Sequence, residues 1–187
     1  MTAPLDPADR GALVGIARAA IRARLGLGPA AALPETGPLA ERRGAFVTLH
    51  RAGELRGCIG RFDPEGSLAR TVADMAVAAA FSDPRFPPLT AGEADDLDIH
   101  VSALGPRVPL PDPAALRVGQ HGLVVKQGWH RGVLLPVVAV ERGWDEPTFL
   151  KHACLKAGLR ADAWTDPSTS LETFEAEEFG APAPESP

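Results

Sequence analysis

A basic side chain, a thiol and two glycines crowd into one short stretch, Leu55-Arg56-Gly57-Cys58-Ile59-Gly60. Leu55 and Ile59 are strand formers. Glycine inside a strand marks a bulge or a place where a ligand or another backbone comes close. Residues i and i+2 of a strand share a face, so the spacing predicts Arg56 and Cys58 side by side, with no side chain from Gly60 beyond them. A guanidinium beside a thiol favours the thiolate, the reactive form. Arg56 and Cys58 are therefore the candidate catalytic residues, and Gly57 and Gly60 are candidate ligand-binding positions. The competing reading makes Cys58 a small buried hydrophobe. With Ala52-Gly53 as a two-residue turn, Arg51 faces Glu54, Leu49 faces Arg56 and Val47 faces Cys58, a register that surrounds the sulfur with apolar neighbours.

The elements that must hold this stretch follow from the pattern around it. Asp6-Pro7 opens a helix whose apolar face is Leu13, Ile16, Ala17, Ala20, Ile21 and Leu25. Ala45 to His50 forms the strand before the turn. Ser67 caps a second helix that ends at Asp83-Pro84. Arg85-Phe86-Pro87-Pro88 then reads as a stiff loop. It either plugs Phe86 into the core with Arg85 solvated, or presents Arg85 to a ligand. Thr90-Ala91-Gly92-Glu93 fits a capping box. Leu97 to Ala103 alternates as a half-buried strand with His100 on its polar face. Leu123 to Lys126 and Arg131 to Val140 flank a turn at Gln127 to His130, with Pro136 demoting the second run to an edge strand or a bulge. Asp145-Glu146-Pro147 starts a helix whose buried stripe includes Cys154. Glu172 to Phe179 is a final strand, and the Pro/Ala-rich tail from Gly180 to Pro187 is expected to be disordered. Hairpins and helices mix without regular βαβ alternation, which predicts an α+β fold with a largely antiparallel sheet flanked by helices.

Composition removes several classes of function. The chain has 187 residues, enough for one domain or one domain of two lobes. Its net charge of −5, with no long basic run, argues against nucleic-acid binding by phosphate neutralisation, although a local Arg cluster could hold one small anion. The two cysteines, Cys58 and Cys154, have no metal spacing, and the five histidines form no HxH or HExxH. No Gly-rich phosphate loop joins a strand to a helix, so no cofactor is expected. No signal peptide and no apolar run of membrane-spanning length is read, which makes a cytoplasmic location the expectation.

Leu-Arg-Gly-Cys-Ile-Gly resembles the signature of the AMMECR domain family, also called AmmeMemoRadiSam system protein A. Gly44 to Leu49 is similar to that family's leading strand, and Phe81-Ser82-Asp83-Pro84-Arg85-Phe86-Pro87-Pro88-Leu89 to its second motif. Gly132 to Pro136 and Cys154 to Leu159 are similar to later ones. The likeness runs in order from about Pro7 to Phe179 and implies one domain over residues 1–179. It also implies two lobes, an antiparallel sheet flanked by helices, and a cleft near the signature, with Arg85 as a further ligand-binding residue. The chain departs from the family at His100, where an acidic residue is frequent, and at Val137, where glutamine is common. Two functions stay open. One is a thiol-dependent enzyme acting on a small anionic or carbonyl substrate, for which the sequence offers no obvious general base. The other, implied by the resemblance, is a non-catalytic subunit working with Memo-like and radical-SAM proteins.

Overall fold

The structure is a computed structural model and describes residues 4–183. Helix α1 spans Pro7–Arg24. Asp6 accepts from the Asp9 N–H at 2.8 Å, and the Asp9 carboxylate returns to the Asp6 N–H, so two of the orphan donors at the helix start are satisfied. The chain continues through β1 (Ala45–Arg51), β2 (Glu54–Arg61), α2 (Leu68–Phe81) and β3 (Leu97–Leu104), then β4 (Val108–Pro109), β5 (Gly122–Gln127) and β6 (His130–Leu134). It ends with α3 (Pro136–Arg142), α4 (Glu146–Lys156), β7 (Ser170–Phe174) and β8 (Ala176–Ala181). This is an α+β fold, and the strands form two sheets, β2-β1-β3-β8 and β4-β7-β5-β6. No helix is long and apolar enough to cross a membrane among the described residues.

Two compact units divide the chain. The first comprises the chain up to Leu104 together with the segment from Glu177. Its core is an alternation read twice: Ala45, Val47 and Leu49 on β1, and Leu97, Ile99, Val101 and Ala103 on β3, are buried toward α1 and α2. Each fully buried Leu, Ile or Val here contributes about 1.5–3 kcal/mol. The second unit is Gly105–Ala176. Phe149, Leu150, Ala153 and Cys154 of α4 pack with Leu123, Val125 and Leu134 in its core, and Cys154 is fully buried as its helical stripe predicts.

A helix lies directly on a strand glycine in each unit. A Cβ at Gly57 of β2 would collide with the Ala79 carbonyl oxygen of α2, and one at Gly132 of β6 would collide with the Ala153 carbonyl of α4. Gly57 therefore sets how closely α2 approaches its sheet.

Three expectations are corrected. The apolar run from Arg131 to Val140 is not one strand. β6 stops at Leu134 and Pro136 opens α3, because proline suits the first helical position, where no N–H is needed. Glu172 to Phe179 is not one strand either, since β7 and β8 join different sheets. The tail does not begin at Gly180: Gly180 and Ala181 complete β8, with Gly180 against the His100 ring, and the Ala183 N–H donates to Asp98 at 2.8 Å. Residues 184–187 lie outside the described residues.

Gly57→Ala is expected to lower stability by about 1–3 kcal/mol through overpacking. Gly15→Ala on α1, where a Cβ meets nothing within 4 Å, is expected to raise it by about 0.5–1 kcal/mol. Urea unfolding measures both, and a Gly57→Ala variant as stable as the wild type would contradict this packing.

Candidate functional site

The β1–β2 hairpin turns at Ala52 and Gly53, with φ of 51° and 78°, the pair of positive values that a tight hairpin turn demands. Arg51 faces Glu54 as expected. The register then slips. His50 faces Leu55, Leu49 faces Gly57, Thr48 faces Cys58 and Val47 faces Ile59. Arg56 is the extra residue of a β-bulge and has no partner on β1. Both expected pairings, Leu49 with Arg56 and Val47 with Cys58, are overturned. The i, i+2 relation that would set Arg56 beside Cys58 is lost with them.

Cys58 instead shares a face with Thr48, whose hydroxyl donates to its sulfur at 3.1 Å. The thiol is half-buried. On this face, opposite α1 and α2, stand Phe46, Thr48 and His50 of β1, Cys58 and Gly60 of β2, and Asp98, His100 and Ser102 of β3. The Phe46 ring covers Gly60, so that glycine is a seat for an aromatic ring rather than open space.

β2 is the outer strand of its sheet, so alternate backbone groups point away from β1 and need partners. At Cys58 the loop after α2 supplies them. The Asp83 carboxylate, 2% exposed, accepts from the Cys58 N–H at 2.9 Å. Arg85 donates to the Cys58 carbonyl at 3.4 Å and binds Asp83 through Nη2 at 2.6 Å and Nε at 2.9 Å. The Arg85 guanidinium holds the Asp83 carboxyl far below the usual carboxylate range against the opposing effect of its burial. The same ion pair raises Arg85.

Arg56 belongs to the flank of this clamp. Its Nε donates to Glu93 at 2.9 Å, and Glu93 also accepts from the Thr90 N–H in the predicted capping box. Arg56 holds the Glu93 carboxyl down at about 2. The Phe86 ring lies between the two arginines, 6.0 Å from Arg56 and 5.4 Å from Arg85. The structure thus gathers Arg56 and Arg85 around Phe86, puts Gly57 under α2 and leaves Cys58 with Thr48. Sequence reasoning missed Thr48, Asp83, Glu93 and the His50–His100 pair. The signals available were the place of Asp83 inside the second motif, Glu93 closing the predicted capping box and His100 on the polar face of its strand.

A depression of about 650 Å³ beside Arg56 is lined by Arg51, Glu54, Arg56, Glu93, Asp96 and Asp98 among others. Carboxylates outnumber guanidiniums there, which disfavours an anion at Arg56. No group of three or more His, Cys, Asp or Glu is placed to hold a metal ion among the described residues.

Asp83 and Glu93 titrate lower in the folded chain than in the unfolded chain, so the unfolded state binds more protons. Their stabilisation is present above about pH 4.5 and is lost as pH falls toward 2. Asp83→Asn is expected to cost about 1–3 kcal/mol at pH 7 and to flatten the acid side of the stability curve. Denaturant unfolding from pH 7 down to about pH 3 reads both, and an acid slope unchanged in the variant would contradict the clamp.

The family model described as AMMECR1 matches residues 14–179. A protein of Methanothermobacter thermautotrophicus is 45% identical over 185 residues, covering 95% of this chain and 96% of its own length. Protein MK0488 of Methanopyrus kandleri is 44% identical, covering 82% of this chain and 79% of its own. The crystal structure of uncharacterized protein PH0010 from Pyrococcus horikoshii superposes with a TM-score of 0.81 at 40% identity, covering 95% of this chain and 94% of that one.

Proposed function

The chain belongs to the AMMECR1 family, and on that premise we propose that it is a cytoplasmic, thiol-dependent enzyme whose nucleophile is Cys58. The substrate is a small molecule with a carbonyl or an anionic group. The observation that carries this reading is the Thr48–Cys58 contact. The hydroxyl donates to the sulfur at 3.1 Å and so fixes where the half-buried thiol points. The thiol stands on a sheet face that the helices leave uncovered, and its backbone is clamped on the outer side by Asp83 and Arg85. Such clamping is what a positioned nucleophile requires. Arg85, 54% exposed, donates to the carbonyl of Cys58 and is the group to hold substrate negative charge.

A second reading has one observation in its favour. Both arginines already spend their charge inside the protein, Arg56 on Glu93 and Arg85 on Asp83. The signature would then build a rigid corner of a non-catalytic subunit, with Memo-like and radical-SAM proteins as partners.

Timed alkylation of the native protein with mapping of the two cysteine peptides separates the readings. Cys154 is buried and its thiol is pushed up by desolvation, so it is expected to react only on unfolding. Cys58 is expected to alkylate first, and Thr48→Val to slow it. A Cys58→Ser strain is expected to match the deletion strain in its metabolite profile. If neither cysteine reacts before denaturation, the enzyme reading fails and the subunit reading takes its place.

A further inference from the structure

We propose that His100 is the general base for Cys58, acting through the Thr48 hydroxyl. This inference rests on the thiol reading above and supplies the group that reading lacks. Antiparallel pairing puts Thr48 directly opposite Cys58 on one side and directly opposite His100 on the other. Residues directly opposite share a face, with Cβ atoms about 4.5–5.5 Å apart. Cys58, Thr48 and His100 therefore form one row across β2, β1 and β3.

The magnitudes decide why the middle residue is needed. Cys58 and His100 are two strand spacings apart, roughly 9–10 Å. Proton transfer needs about 2.6–3.2 Å or a single bridging group. Thr48 is placed to be that bridge: its Oγ1 lies 3.1 Å from Sγ and donates to it, and the hydroxyl turns its proton toward the ring to take up the S–H proton. A hydroxyl accepts as well as donates. In the step, the Cys58 S–H gives its proton to the Thr48 oxygen while the Thr48 O–H proton passes to the imidazole. Net, one proton leaves sulfur and arrives on the ring. The products are a thiolate that accepts from Thr48 and an imidazolium that donates to it. No oxidant, reductant or further reactant takes part.

The surroundings suit the role. His100 is exposed, so its ring exchanges protons with solvent. The His50 ring meets it edge-on, with centroids 5.3 Å apart, which fixes its plane. Gly180 of β8 lies against the ring, where any side chain would displace it. The titratable groups sharing this face are Cys58, His50, Asp98 and, two residues before Gly180 on β8, Glu178. Asp98 accepts from the Ala183 N–H. His50 leaves its Nδ1 buried without a hydrogen-bond partner. His50 belongs to the positioning of His100, because Thr48 faces His100 and not His50 across the strands.

The test is the rate of Cys58 alkylation by iodoacetamide at pH 7 in the full chain, with the melting temperature of each variant as the folding control. His100→Ala is expected to slow alkylation on the order of tenfold or more, and added free imidazole is expected to restore it. His100→Gln is expected to be as slow as His100→Ala. A structural role for His100 predicts no rescue. A His100→Ala rate equal to the wild type, or a slow rate that imidazole does not restore, overturns the base assignment while leaving Cys58 as the nucleophile. A wild-type Cys58 that stays unreactive until denaturation overturns both.

Discussion

The outer backbone of β2 at Cys58 has no strand to pair with, and one carboxylate solves this. Asp83 takes the Cys58 N–H, holds Arg85 with its oxygens, and through Arg85 reaches the Cys58 carbonyl. An unpaired N–H on an outer strand is an invitation to pair with another chain, and an unpaired buried carboxylate would cost several kcal/mol. Each problem is the other's solution. The rest of the first unit is arranged so that Asp83 can arrive. α2 must end at Phe81 and sit close enough to β2 for the following loop to reach its edge. Gly57 permits that approach, because any Cβ there would strike the Ala79 carbonyl. The Leu89 N–H returns to the Ala80 carbonyl at 2.9 Å and closes the loop behind the clamp.

Much of this was legible in the sequence, and the limits were physical. Local chemistry read correctly: the Asp6 cap, the Ala52-Gly53 turn, the Thr90–Glu93 box and the buried stripe holding Cys154 all depend on residues within a turn or two of each other. The α+β class followed from element order. The bulge at Arg56 did not, because one extra residue inverts every face beyond it and nothing in a single sequence marks which residue is extra. Glycine hinted at a bulge, but Gly57 serves close packing and the bulged residue is the arginine before it. The Val-rich run after Gly132 looked like a strand because periodicity cannot separate short apolar runs, and the helix-starting use of Pro136 went unread. The tail's composition suggested disorder, yet Gly180 is there so that β8 can lie against His100. Long-range pairings such as Asp83 with Cys58 carry no local signature at all.

The corrected register also changes the chemistry on offer. An arginine–cysteine pair would have made an electrostatically activated thiol. The structure has a hydroxyl–thiol pair in a row with an imidazole, and it moves the nearby cation from Arg56 to Arg85. In the reading proposed above, activation by proton removal takes the place of activation by a fixed charge. The two arginines and Phe86 become the frame that keeps the row's outer end still.

Native-state hydrogen exchange at the Cys58 amide tests the clamp most directly. An N–H held by a buried carboxylate is expected to exchange only through large-scale opening, as slowly as the amides of the central strand β1. Exchange as fast as that of an open outer-strand amide would show that Asp83 does not hold Cys58, and the account of this edge would fail with it.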